Sequence, residues 1–531
     1  MKKRTAARSM AALMGAAMVL TACGGGNTTA PTTGASSGGE TQTASESAES
    51  GKITKTDIVV GQASDIVTLD PAGQQDTTSG VLMKHAYSTL LDVDNEGKVV
   101  PDLAESYEMK SDTEYVFKLR EDACFWDGTP VTAQDVKFSL DRAKGMPKTK
   151  SNTSKIEEVT VNGDHEVTIK LTEPYAAFKT IVTQHNLSIL SEKAVTEAGD
   201  SYGDVDNLLG SGPFKVTEWV PNDHYTLVRN DNYWGEMPIA TSITCRVIPE
   251  GSARTIALEA GEIDVVWSVD PTDCANVESN PDVKLLSQPS TGIDYVGMNT
   301  QKEKFSDKRV RQAINYALDK QTFVDTIIEG RGLVANSYIN AAIPGWTDEV
   351  EAYPYDPEKA KELLAEAGYP DGFECSIFVN GDLRTRSAQI LQAQLADVGI
   401  KVDISTYEWG ALLDTLNAGE HEMFLLGWSN TSFDPDGSTY QLFYSGNHGA
   451  TGNRAFFSND KVDELILSAQ RESEESKRME LYKELQFVLH DESPWCPLYY
   501  KENNVGVRAD LKGFTLHAGA QHYLGNCHYE E

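Results

Sequence analysis

The chain is 531 residues long, 40% apolar and 24% charged, with a formal net charge of −34 at pH 7. A field that negative repels the phosphate backbone of nucleic acid and the surface of an anionic membrane, which argues against nucleic-acid binding and purely electrostatic membrane attachment. The length exceeds what one hydrophobic core usually accommodates, so two or three domains are expected.

In chain order, Lys2, Lys3, Arg4 and Arg8 precede an apolar run from Met10 to Leu20. This is the pattern of a secretory signal, and the run falls well short of the ~20 residues that a membrane span needs. It leads into Leu20-Thr21-Ala22-Cys23, which resembles the lipobox of bacterial lipoproteins. That resemblance implies a signal peptide over 1–22, lipid attachment at Cys23, and anchorage to a membrane without spanning it. Loss of the basic leader takes the mature chain to about −38. Residues 24–51 are dominated by Gly, Ser, Thr, Ala and Glu, with no aromatic. Such a segment cannot bury enough apolar surface to order itself. Residues 23–51 therefore read as a lipidated cysteine and a flexible linker, with an end-to-end distance of about 30 Å.

Beyond the linker, strands and helices alternate, which predicts an α/β protein. A strand closes on Ile58-Val59-Val60. From Glu114 to Arg120, Tyr115, Phe117 and Leu119 alternate with Val116, Lys118 and Arg120, the period of a strand with one dry face. Asp127-Gly128 supplies a turn, and Thr132 with Asp135 marks a helix start close to a capping box. Val310, Ala313, Ile314, Ala317 and Leu318 lie at helical spacing. Asp356-Pro357 reads as N-cap and first-turn proline of a helix that Gly368 ends. Two more helices are expected over Asp460–Glu472 and Glu475–His490. Cys124, Cys245, Cys274, Cys375, Cys496 and Cys527 have no metal-ligand spacing, and their pairing stays open between disulfides and buried thiols.

Several stretches of the chain form an ordered set of motifs. They are Thr68-Leu69-Asp70-Pro71, Val100-Pro101-Asp102-Leu103-Ala104-Glu105-Ser106, Phe117-Lys118-Leu119-Arg120 and Asp127 through Val136. Gly212-Pro213-Phe214, Arg229 through Gly235, Arg309 through Ala317, Tyr407-Glu408-Trp409, Gly427-Trp428 and Asp434-Pro435-Asp436 complete the set. Together they resemble the dipeptide- and oligopeptide-binding proteins that serve ABC importers, extracellular solute-binding protein family 5, and the resemblance covers about Lys52 to Tyr529. It implies a two-lobe periplasmic-binding-protein fold, type II-like, with an extra subdomain in lobe I. Carried onto this chain, lobe I is 52–90, 209–292 and 505–531, the inserted subdomain is 91–208, and lobe II is 293–504. Crossings between lobes are expected near Tyr295–Asn299 and Tyr500–Val507, with hinge closure burying a ligand between the lobes.

The resemblance also nominates site residues. Trp409 and Trp428 fall where the family places cleft aromatics, which can wall a pocket without demanding one ligand shape. Peptide-binding relatives carry an aspartate three residues after the second tryptophan, where this chain has Thr431. A hydroxyl accepts a hydrogen bond but cannot neutralise an ammonium. Asp434 and Asp436 are the substitutes considered, against a turn around Pro435. Arg384, with Arg386 as alternative, stands at roughly the family's position for holding a ligand carboxylate. Thr78, in the loop and helix start after Gln74, is the candidate for ligand backbone, against a capping role.

His517, His522, Cys527 and His528 crowd the C-terminus but fit no metal motif, so neither metal nor cofactor is expected. No nucleophile elbow, zincin motif, phosphate-binding loop or dinucleotide fingerprint is present, so no enzymatic activity is expected. The expectation is therefore a monomeric, lipid-anchored, extracytoplasmic receptor that passes short peptides to an ABC permease with cytoplasmic ATPases. The alternatives are the same fold binding a nickel chelate, an opine or an oligosaccharide, and, from another class, an exported hydrolase.

Overall fold

The computed structural model describes residues 52–531, so the signal peptide, Cys23 and residues 24–51 lie outside the described residues. Two long antiparallel strands, Val283–Met298 and Trp495–Arg508, form the spine of an 11-stranded mixed sheet. At one end Val265–Val266 pairs with the second spine strand, and Asp57–Gln62, Ser242–Val247, His224–Arg229 and Phe214–Val220 follow outward. At the other end Met423–Ser429 pairs with the first spine strand, followed by Glu374–Val379 and Lys401–Thr406 in parallel. The molecule is thus a two-lobe binding-protein fold whose halves share one pair of strands.

Each half has its own apolar cores. Ile58, Val60, Phe214, Tyr225, Val505 and Val507 pack together in one half. In the other, Val310, Ala313, Ile314 and Ala317 of helix Lys308–Ala317 lie fully buried against Ile377, Leu391 and Leu425. Burial of that whole stripe is what makes a helix of this length stable, since an isolated one is marginal in water. Helix Pro357–Glu366 lies against it, with Asp356 Oδ1 accepting from Lys359 N at 2.9 Å and Gly368 taking φ +94° just beyond its end. On the opposite face, the Tyr295 and Trp495 rings stack at 3.4 Å, beside helices Asp460–Arg471 and Glu475–Glu492. The spine strands change core between Leu286 and Ile293, where the pairing register shifts after Pro289. This point comes earlier in the first strand than the expected Tyr295–Asn299.

A separate four-stranded antiparallel sheet runs Ala104–Ser111, Glu114–Leu119, Glu166–Leu171, Ile156–Gly163. Tyr115, Phe117 and Leu119 point into its core, where Val136 and Leu140 of helix Ala133–Lys144 cover them. That helix starts in a full capping box: Thr132 Oγ1 accepts from Asp135 N, and Asp135 Oδ2 accepts from Thr132 N at 3.0 Å. Leu190, Val195 and Tyr202, further along, pack instead into the core of Ile58 and Phe214.

The six cysteines of the described residues are unpaired thiols, five of them buried. No group of three His, Cys, Asp or Glu able to hold a metal occurs among the described residues. His522 Nδ1 instead accepts from His517 N at 3.0 Å, and His528 bonds Asn526 and Glu530, so both are tied into local backbone turns. No described helix is long and apolar enough to cross a membrane.

Candidate functional site

Where the two halves face each other, a cavity of about 250 Å³ opens into a groove of about 1290 Å³, with Asn380, Arg384, Trp409 and Lys501 lining both. One wall is the turn before helix Thr77–Ala86. Asp76 caps that helix, its Oδ1 accepting from Ser79 N at 2.9 Å. Gln74 Oε1 accepts from Asp76 N, and Gln75 Nε2 reaches across the cleft to Thr451 O at 3.2 Å. Capping leaves Thr78 free to face the cavity. Burial pushes the Asp76 carboxyl up from its ordinary value, partly offset by the bonds from Ser79. Its Oδ2 has no partner in good geometry, and neither has the Nε1 of Trp409, which lies beside it.

The opposite wall comes from three elements. Strand Met423–Ser429 carries Trp428, whose Nε1 donates to Gly437 O at 3.0 Å and so fixes the indole at the cavity edge. Trp409 is the first residue of helix Trp409–Asn417. Arg384 sits in the first turn of helix Gly381–Ala396, its Nη1 donating to Asn380 Oδ1 at 2.7 Å and its guanidinium 5.8 Å over the Trp409 ring. It is therefore a helix residue held in place. Two more cations line the cavity. Lys501 Nζ pairs with Asp294 Oδ1 at 2.9 Å, and the lysine together with Arg384 holds that buried carboxyl below its ordinary value against desolvation. Arg454 is 5% exposed, with Nε donating to Asn417 Oδ1 at 3.0 Å.

Thr78, Arg384, Trp409, Trp428 and Thr431 thus share one cavity. Thr431 Oγ1 spends its proton on Gln184 Oε1 at 2.9 Å, a contact between the walls. Asp434 and Asp436 lie outside it. Asp434 takes Arg478 Nη1 and Nη2 at 2.8 and 2.5 Å, while Asp436 accepts from Tyr175 Oη at 2.6 Å and Gln470 Nε2 at 2.9 Å. Both are buried and bonded by protein groups away from the cavity lining. Arg386 is also spent, on Asp270 at 2.7 Å. Sequence reasoning missed Asp76 as a wall carboxylate, and Arg454 and Lys501 altogether. Asp76 stood inside a polar loop already noted, but nothing local distinguishes Arg454.

The cavity offers indole faces, amides, one carboxylate and three cations, enough to orient a small polar ligand. The family model described as bacterial extracellular solute-binding proteins, family 5 middle, matches residues 98–450. The glutathione-binding protein GsiB of Escherichia coli O157:H7 is 32% identical over 479 residues, covering 87% of this chain and 92% of the relative. The ABC transporter-associated periplasmic binding protein DppA from Helicobacter pylori, in complex with peptide STSA, superposes with a TM-score of 0.86 at 28% identity, over 90% of this chain and 99% of that one. The binding protein AgaA from A. tumefaciens R10, in complex with agropinic acid, gives 0.84 at 26%, over 90% and 99%. On this match, and on the paired-strand fold and cleft that go with it, the chain belongs to the bacterial extracellular solute-binding proteins of family 5.

Proposed function

We propose that this protein is the lipid-anchored receptor of an ABC importer, which closes on a short peptide outside the cytoplasm and delivers it intact to the permease. The observation that carries this reading is the cleft in which Arg384, over the Trp409 ring and on the same wall as Trp428, has no carboxylate at ion-pair distance among the described residues. Arg384 would take the ligand's terminal carboxylate, the two indoles its side chains, and Thr78 its backbone. Cys23 would carry the lipid and residues 24–51 the leash, leaving a monomeric body free to turn toward the permease. The lobes would be 52–90 with 209–292 and 505–531, the insert 91–208, and lobe II 293–504, hinged where the spine strands change core.

A second reading, an opine-like solute, draws on two observations. The structural neighbour AgaA is in complex with agropinic acid, and Thr431 is bonded to Gln184 in place of a free carboxylate. Native mass spectrometry of freshly purified protein separates the two by the mass of any retained ligand. Calorimetry with a peptide panel tests the site: Trp409→Ala should weaken binding at least tenfold with an unchanged melting temperature, and Thr431→Asp should strengthen capture of peptides with a free amine. Unchanged affinity in both variants would remove the ligand from this cavity.

A further inference from the structure

In so acidic a protein a guanidinium rarely lacks a counter-charge. Among the described residues, the arginines without a carboxylate at ion-pair distance are Arg254, Arg384, Arg454 and Arg508. Arg254 and Arg508 are spent on backbone carbonyls, Arg254 on Ile248, Pro249 and Ser268 and Arg508 on Leu258 and Glu259. The two that remain both line the same cavity. Arg384 bonds only an amide oxygen, and so does Arg454. Arg454 is nearly fully buried, and an unpaired buried charge is one of the costliest things a fold can keep. Burial accordingly depresses the Arg454 guanidinium, offset in part by Tyr295 and by Asp76, the one carboxylate on the cavity wall, which stands beyond ion-pair distance.

Resting on the proposed reading of the cleft as a peptide site, we infer that Arg454 is a second anion-binding residue, so that the ligand brings two carboxylates, one for Arg384 and one for Arg454. The ligand class is then a short peptide with an acidic side chain or a second free carboxyl, rather than a neutral dipeptide. Asn417 orients Arg454 through Nε, leaving both Nη groups, which have no acceptor among the described residues, to form the charge-assisted fork that a carboxylate needs. The loop bearing it is tied to the opposite wall by the bond from Gln75 Nε2 to Thr451 O.

The test is calorimetry on the full mature chain with matched probes: Ala-Glu and glutathione, each with two carboxylates, against Ala-Gln and Ala-Ala. Wild type should bind the diacids roughly 10- to 100-fold more tightly than Ala-Gln, as expected for a buried charged hydrogen bond. Arg454→Gln should bring that ratio close to one, and Arg454→Lys should keep part of it. Equal affinity of wild type for Ala-Glu and Ala-Gln overturns the inference without needing any variant to fold. Binding of a diacid opine but of no peptide would overturn the peptide reading while supporting two anion subsites. Binding of neutral peptides alone would do the reverse.

Discussion

Asp434 shows how position along the chain misleads about role. It lies six residues beyond a cavity tryptophan, yet Arg478 holds it in a buried two-pronged pair whose side chains are 11% and 9% exposed. Proximity in sequence brought it near the ligand space; the guanidinium of a distant helix took its lone pairs. Removing the carboxylate would leave Arg478 buried and unpaired. Asp434→Ala should therefore cost about 3–5 kcal/mol of stability, read as a fall in the denaturant midpoint. A surface-like loss of a few tenths would reopen the question of a ligand role. The cavity arginines follow the opposite logic, since among the described residues each bonds an amide oxygen and has no carboxylate at ion-pair distance.

The Gly212-Pro213-Phe214 stretch gains its physical reason at the scale of elements. Gly212 N donates to Ala86 O at 3.0 Å, and Trp126 Nε1 donates to Gly212 O at 3.2 Å. The strand Phe214–Val220 thereby enters the sheet against the end of the helix that Asp76 caps. A Cβ at position 212 would sit 2.5 Å from Ala86 C and 2.7 Å from His85 O, backbone atoms that cannot swing aside. Gly212→Ala should lower stability by about 1–3 kcal/mol, the usual cost of overpacking, in a thermal melt. Because the displaced helix also carries the cavity wall at Thr78, peptide affinity should fall with it.

At the scale of the whole molecule, contacts far from the ligand space join the four-stranded sheet to the opposite half. Tyr175, beside the four-stranded sheet, donates to Asp436 in the opposite half, and Ala176 N donates to Gln470 O at 2.8 Å. Burial, with the neighbouring Asp434 charge, pushes the Asp436 carboxyl from its ordinary 3.8 up to about 6. The folded state then keeps a proton that the unfolded chain has already released between those values. The stabilising contribution is complete below about pH 4 and is lost as pH rises through 6. The stability of wild type relative to Asp436→Asn should accordingly fall by on the order of 1–3 kcal/mol from pH 4 to pH 7. A flat difference across that range, in melts of both proteins, would show that Asp436 does not titrate there.

Much of the architecture was legible without coordinates because it rests on short-range physics. The stripe from Val310 to Leu318, the Thr132–Asp135 cap and the alternation from Tyr115 to Leu119 are each decided within a few residues, by side-chain periodicity and unpaired backbone N–H groups. The family motifs likewise carried the two tryptophans and Arg384 to one cavity. What only the tertiary structure decided is which charged groups are already spent. Asp434 and Arg386 are neutralised by partners 44 and 116 residues away and Asp436 is hydrogen-bonded by Gln470, 34 residues away, whereas Arg454 has an amide partner but no carboxylate at ion-pair distance among the described residues. Charge pairing depends on distance in space and on burial, and neither is written in the local order of the chain.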